Sequence, residues 1–268
     1  MINISCAENG VIESVVDTVY SSVLFQSVYV GDNFVIDVSL PEGYLLNPDS
    51  RYPVIYLTDG NWRRAQHKPI HDLNKSDGVE EMIVVGISYP DNYDVNTIRV
   101  RDFITYPGKY LDFLLKEVIP FVEQKYRTNS ERTLWGSSFG GFFAFYALFQ
   151  YTEKTKDVFK NYIIASAAAY QTTQYLDKQL NIFDFEQLHF QKSNELCANL
   201  YLTVGGDEVA ASFVEPFNRL VVTMESRHYS RLNLQFYCDP GKNHYTVWEP
   251  SLYQGIKLFM KKSAGLEK

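Results

Sequence analysis

Apolar positions recur along the chain in two rhythms, and their alternation predicts an α/β architecture. Pro53 to Leu57 (PVIYL) and Met82 to Ser88 (MIVVGIS) are short, almost wholly apolar runs. Strands buried on both faces of a parallel sheet have this character. Two β-rich runs precede them, Val19 to Val30 and Asn33 to Leu40, with a hairpin predicted at Gly31-Asp32. Pro41-Glu42-Gly43-Tyr44 ends that pattern and opens a polar loop reaching Arg51. Between Tyr110 and Tyr126 the period becomes helical, because Leu111, Leu114, Leu115, Val118, Ile119 and Val122 share one face. Pro120 removes one backbone donor there and should bend the helix.

Thr133 to Trp135 is a short strand, followed by a glycine-flanked serine and an apolar helix from about Phe142 to Phe149. Tyr162 to Ala165, Asn199 to Val204 and Leu232 to Tyr237 complete the later strands. Leu252, Ile256 and Phe259 mark a terminal amphipathic helix with Pro250 in its first turn. The expected fold is one α/β domain over residues 1–268, a central, mostly parallel sheet with helices on both faces. The mixed segment from Gln171 to Asn194 reads as a small cap over the pocket.

Composition narrows the function. A net charge of −7 argues against a nucleic-acid partner, since phosphate binding needs a field of the opposite sign. No apolar run is long enough to cross a bilayer, so no membrane association is expected. Cys6, Cys197 and Cys238 form no C-x-x-C pair and read as inert buried thiols. No Lys or Arg precedes Arg51, so the basic start of a secretory signal is missing and a cytoplasmic location is the expectation.

The chemistry centres on Gly136-Ser137-Ser138-Phe139-Gly140, a match to G-x-S-x-G. Such a serine stands at a sharp strand-to-helix turn with its hydroxyl clear of the sheet, and glycine two residues away on either side avoids a clash. Three fixed positions at average frequencies of about 7% match by chance in roughly one chain in ten of this length. The strand before and the apolar helix after give the match its weight. A serine hydroxyl needs a base, and five histidines are available. His67, His71, His189 and His228 have no defined relation to a strand end, whereas His244 follows the last strand and precedes the terminal helix. An acid should lie between Ser138 and His244 in the chain. Gly205-Gly206-Asp207-Glu208 follows a strand, and a glycine with an acid three residues on selects Glu208, with Asp207 the alternative.

An oxyanion hole would take the Phe139 N–H and an N–H from Thr58-Asp59-Gly60-Asn61-Trp62, from either Gly60 or Asn61. Glycine at position 60 would let backbone approach a ligand. Trp62, Arg63 and Arg64 are candidate substrate contacts, the arginines for an anionic group, although a solvated basic run explains them as well. His67 and His71 stand four apart without H-E-x-x-H or a third ligand, so a zinc site has little support.

Taken with VSLPEGY, PVIYLTDG, MIVVGISY, KYLDFLLKEVIPFVEQKYR, LWGSSFGGFFAFYAL, LYLTVGGDE and GKNHYTVW, the chain resembles the esterase D group of α/β-hydrolases. The likeness is to the branch of enterochelin (ferric siderophore) esterases and runs from about Phe25 to Met260. The resemblance implies an α/β-hydrolase fold and hydrolysis of a small carboxylic ester without metal or organic cofactor. It also implies Ser138 as nucleophile, His244 as base and Glu208 as acid. Substrates across the group include siderophore trilactones, feruloyl and acetyl esters and S-formylglutathione, and mycolyltransferases belong to it. Many relatives carry a serine-proline-serine turn where this chain reads Ala165-Ser166-Ala167. The rival readings are acyl transfer at the same site and a catalytically silent binding protein on the same fold.

Overall fold

The computed structural model describes residues 20–76, 78–150 and 158–262; Val19 and Cys6 lie outside them. Its centre is an eight-stranded sheet. In chain order the strands are β1 (Tyr20–Ser27), β2 (Asp32–Ser39), β3 (Tyr52–Leu57), β4 (Ile83–Ser88), β5 (Thr128–Ser137) and β6 (Asn161–Ala165). A separate hairpin of β7 (Thr173–Tyr175) and β8 (Lys178–Leu180) precedes β9 (Glu195–Gly205) and β10 (Ser230–Asp239). The order across the sheet is β1-β2-β4-β3-β5-β6-β9-β10. The first hairpin joins antiparallel to β4, and every later pairing within this eight-stranded sheet is parallel.

The helices are α1 (His67–Ser76), α2 (Val95–Val100), α3 (Pro107–Phe113), α4 (Ile119–Lys125) and α5 (Phe139–Phe149). Later come α6 (Ile182–Lys192), α7 (Glu215–Arg227) and α8 (Trp248–Phe259). They cover both faces of the sheet. Ile70 and Leu73 of α1 and Leu252 and Ile256 of α8 pack on one side with Trp135, Ile55 and Val84. The larger core on the other side takes in α3, α4, α5 and α7, with Leu134, Val54 and Val85 of the same strands. Alternate residues of β3, β4 and the second half of β5 thus feed opposite layers, and this is why β3 and β4 are almost wholly apolar.

Several elements run longer than the sequence reading gave them, β5, α5, β9 and β10 among them, and other readings change in kind. The first turn is Val28–Gly31 rather than Gly31-Asp32. Ser27 Oγ accepts the Val30 N–H, and Glu117 accepts from both Ser27 Oγ and the Val28 N–H, fixing a longer loop from outside the hairpin. The predicted bend at Pro120 is absorbed upstream, where Leu114–Val118 forms a π turn and the Ile119 N–H reaches back to Leu114 O. Proline then occupies the first turn of α4, where no donor is needed. Residues 171–194 form the small hairpin and α6, which packs on α5 through Phe185 and Tyr146 and lines no part of the cavity at Ser138. Cys238 is exposed rather than buried. None of the described helices is long and apolar enough to cross a membrane.

Candidate active site

The site forms where β3, β5, β6, β9 and β10 end, because in a parallel sheet the loops leaving the carboxyl ends converge on one rim. Ser138 sits at the corner between β5 and α5 with φ 58 and ψ −116, a left-handed conformation that L residues rarely adopt. The corner is held by the Ser138 N–H donating to Ala165 O and by Ser138 O accepting from the N–H groups of Phe142 and Ala168. A Cβ on Gly136 would lie 2.2 Å from Gly140 O, so the turn closes only with glycine there.

His244, in the loop after β10, presents Nε2 3.1 Å from Ser138 Oγ and Nδ1 2.8 Å from Glu208 Oε2. With Nδ1–H donating to the carboxylate, Nε2 is left as the acceptor facing the serine. The ring is steadied by Phe213, 4.3 Å away between centroids. Glu208 is buried, and its other oxygen accepts from Ser166 Oγ and from the Gly205 N–H. Burial alone pushes this carboxyl up. The hydrogen bonds from His244, Ser166 and Gly205 outweigh it and hold the group below the usual carboxylate range. Asp207 is exposed, and its N–H donates to Lys242 O. The structure therefore brings Glu208, not Asp207, to His244.

Phe139 opens α5, so its N–H has no acceptor within the helix and stands at the positive end of the helix dipole. Beside it runs the loop after β3, where Asp59 is left-handed with φ 57. Both Asp59 oxygens accept from Arg99, each at 2.7 Å, and both residues are buried. The Arg99 guanidinium also lies 4.9 Å from the Phe139 ring and 5.2 Å from that of Trp62. This pair ties the β3 loop to the serine corner. The sequence reading missed it, since nothing in the spacing couples a loop aspartate to an arginine of α2 forty residues on. Around Ser138 and His244 a cavity of about 310 Å³ is lined by Trp62, Arg63, Arg99, Tyr245 and Trp248.

The chain matches the family described as "Putative esterase" over residues 27–259. It belongs to that esterase family. Among solved structures it is similar to the BES protein from Bacillus cereus, 25% identical with TM-score 0.74, covering 97% of this chain and 100% of that one. An IroE-like serine hydrolase from Shewanella oneidensis is 21% identical with TM-score 0.74, covering 90% and 80%. Siderophore hydrolase EstB from Aspergillus nidulans is 22% identical with TM-score 0.73, covering 96% and 99%. No curated protein sequence matches. The fold of this esterase-family chain is that of the α/β-hydrolases, as expected.

Not every residue singled out from the sequence reaches the esterase's cavity. A Cβ on Gly60 would lie 2.4 Å from Ser88 Oγ and 2.8 Å from Ile87 C, so glycine serves close packing on β4 rather than approach to a ligand. The Asn61 side chain brackets Tyr89, donating to its carbonyl and accepting its N–H, and thereby pins the loop. Arg64 turns away to Asp37, 2.9 Å distant. Arg63 goes inward and is only 7% exposed. His67 Nδ1 and His71 Nε2 both contact Ser39 Oγ, at 2.8 and 2.9 Å. Burial pushes each imidazole down to about 4, so they are neutral core groups. Among the described residues no cluster of three or more His, Cys, Asp or Glu could hold a metal ion.

Proposed function

We propose that the protein is a serine esterase that cleaves small carboxylic esters through an acyl-enzyme. The observation that carries this reading is the continuous array Glu208–His244–Ser138, with both contacts at hydrogen-bond length. A buried carboxylate, an imidazole in one tautomer and a hydroxyl on a strained corner are the parts that nucleophilic acyl transfer requires.

His244 Nε2 takes the hydroxyl proton as Ser138 Oγ attacks the ester carbonyl. Glu208 stabilises the imidazolium that forms and keeps its proton on Nδ1. The oxyanion of the tetrahedral intermediate is met by the Phe139 N–H and by a backbone N–H of the loop from Asp59 to Trp62. His244 then passes the proton to the departing alcohol, and water, activated by the same imidazole, releases the acid. The serine hydrolase and siderophore hydrolases among the structural neighbours support the same class of chemistry.

The test is hydrolysis of short p-nitrophenyl esters together with labelling by a fluorophosphonate. Ser138→Ala is expected to lower kcat by about 10⁴-fold and to abolish labelling while the melting temperature stays close to wild type. Activity near the wild-type level in that variant would remove Ser138 from the mechanism.

A further inference from the structure

Arg63 is a buried cation that the proposed hydrolysis does not use. Among the described residues its guanidinium makes no hydrogen bond or ion pair, and Nε is fully buried without a partner. Two carboxylates act on it through space only: Asp59, with both oxygens engaged by Arg99, and Glu249, which is exposed. Glu208 is turned to His244 and Ser166. Burial brings the Arg63 guanidinium down to about 10, which still leaves it charged at neutral pH. The two terminal nitrogens also lack a hydrogen bond but keep some access to the cavity. A charge largely withdrawn from water without a partner is costly, so an anionic partner supplied through the cavity would be favoured.

The surroundings suit one kind of partner. The guanidinium carbon lies 3.8 Å from the ring centroid of Trp248 and 4.8 Å from that of Trp135. Aromatic faces hold a guanidinium plane while leaving its in-plane N–H donors available, and such a fork matches a carboxylate with two parallel hydrogen bonds. Arg63 also lines the cavity that holds Ser138 and His244. A group bound to Arg63 therefore belongs to the molecule whose ester is being cleaved. The exposed Trp62 and Tyr245 give that cavity flat apolar sides.

We propose that Arg63 is an anion-binding subsite and that the ester accepted beside Ser138 carries a carboxylate. This rests on the esterase reading of the same cavity. Arg63, unlike Arg64, has no aspartate of its own, and a ligand carboxylate completes the pairing.

Two measurements test it. The first compares kcat/KM for 4-acetoxybenzoate with that for the neutral 4-acetoxybenzamide, and inhibition of p-nitrophenyl acetate hydrolysis by benzoate with that by benzamide. Wild type is expected to favour the anion at least tenfold in one or both comparisons, mainly through KM or Ki. Arg63→Gln should bring that ratio close to one, and Arg63→Lys should keep part of it. Equal treatment of anion and amide by wild type in both comparisons overturns the proposal. So does an Arg63→Gln variant, folded by its melting curve, that retains the wild-type ratio. The second measurement titrates benzoate against tryptophan fluorescence in Ser138→Ala, with and without Arg63→Gln. It needs no turnover, so saturable binding lost with Arg63 would stand even if no ester were cleaved and the esterase reading failed. Absence of binding in Ser138→Ala, with esters still cleaved by wild type, would overturn the anion subsite alone.

Discussion

Ser166 shows how much of the candidate site hangs on single side chains besides Ser138, His244 and Glu208. It has φ 46, its N–H donates to Thr203 O, and its hydroxyl donates to the Glu208 oxygen that His244 does not use. In the proposed mechanism this makes Ser166 a positioning residue for the acid. Ser166→Ala keeps the strained backbone and removes the donor, whereas Ser166→Gly removes the donor and relieves the strain. Both are expected to lose about tenfold or more in kcat, as the loss of one hydrogen bond to a charged group implies. The glycine variant should melt no lower than the alanine variant. A glycine variant with wild-type kcat would reduce Ser166 to a backbone role. The Glu208 carboxyl lies below the usual range, so its contribution to stability is complete above its unfolded-state value and lost as pH falls through the folded one. Ser166→Ala should move that loss to higher pH.

At the scale of elements, the loop after β3 is fixed by contacts with two other segments. Asn61 clamps it to the end of β4, and Asp59 is locked to Arg99 of α2, which reaches Phe139 at the start of α5. Removing one partner leaves a buried charge unpaired, so Arg99→Met is expected to cost about 3–5 kcal/mol in urea unfolding. The double change Asp59→Asn with Arg99→Met should recover part of that loss, because neither charge remains. If the double variant is as unstable as the single one, Asp59 is not the group Arg99 compensates. Since the same loop supplies a donor to the oxyanion in the proposed mechanism, kcat should fall in both variants. The π turn ahead of Pro120 is a similar case of one element adjusting to another. The chain keeps the proline's apolar neighbours on the core by widening the preceding turn.

Over the whole molecule, acid stability is expected to depend on two buried histidines that line no part of the cavity at Ser138. His67 and His71 are buried near Ser39 with their imidazoles pushed down to about 4. The unfolded chain takes up protons first as pH falls below about 6.5, so stability drops from there down to about 4 and levels off once the folded state is protonated too. Each histidine accounts for about 3 kcal/mol of this loss, the order that such a shift implies. Chemical denaturation between pH 7 and 4 should show it, and His71→Gln should flatten the curve. An unchanged curve in that variant would place the acid sensitivity elsewhere, among the buried carboxylates.

The buried strands β3 and β4 were legible because both faces are covered, which leaves runs such as PVIYL with no polar position. The serine corner was legible because its geometry is local: two glycines and a serine within five residues, between a strand and a helix. So was the loop that carries His244, by its place between the last strand and the terminal helix. What the chain could not express locally was decided by tertiary contact. Glu208 and Asp207 are adjacent, and only the passage of the His244 loop, 36 residues on, buries one and leaves the other in water. Arg63 and Arg64 are adjacent too. One enters the cavity between two tryptophans while the other meets Asp37. Hydrophobic period records which face of an element is buried, and that is a short-range property. Which of two neighbouring charges is buried depends on groups that approach from distant loops, and no local pattern encodes that approach.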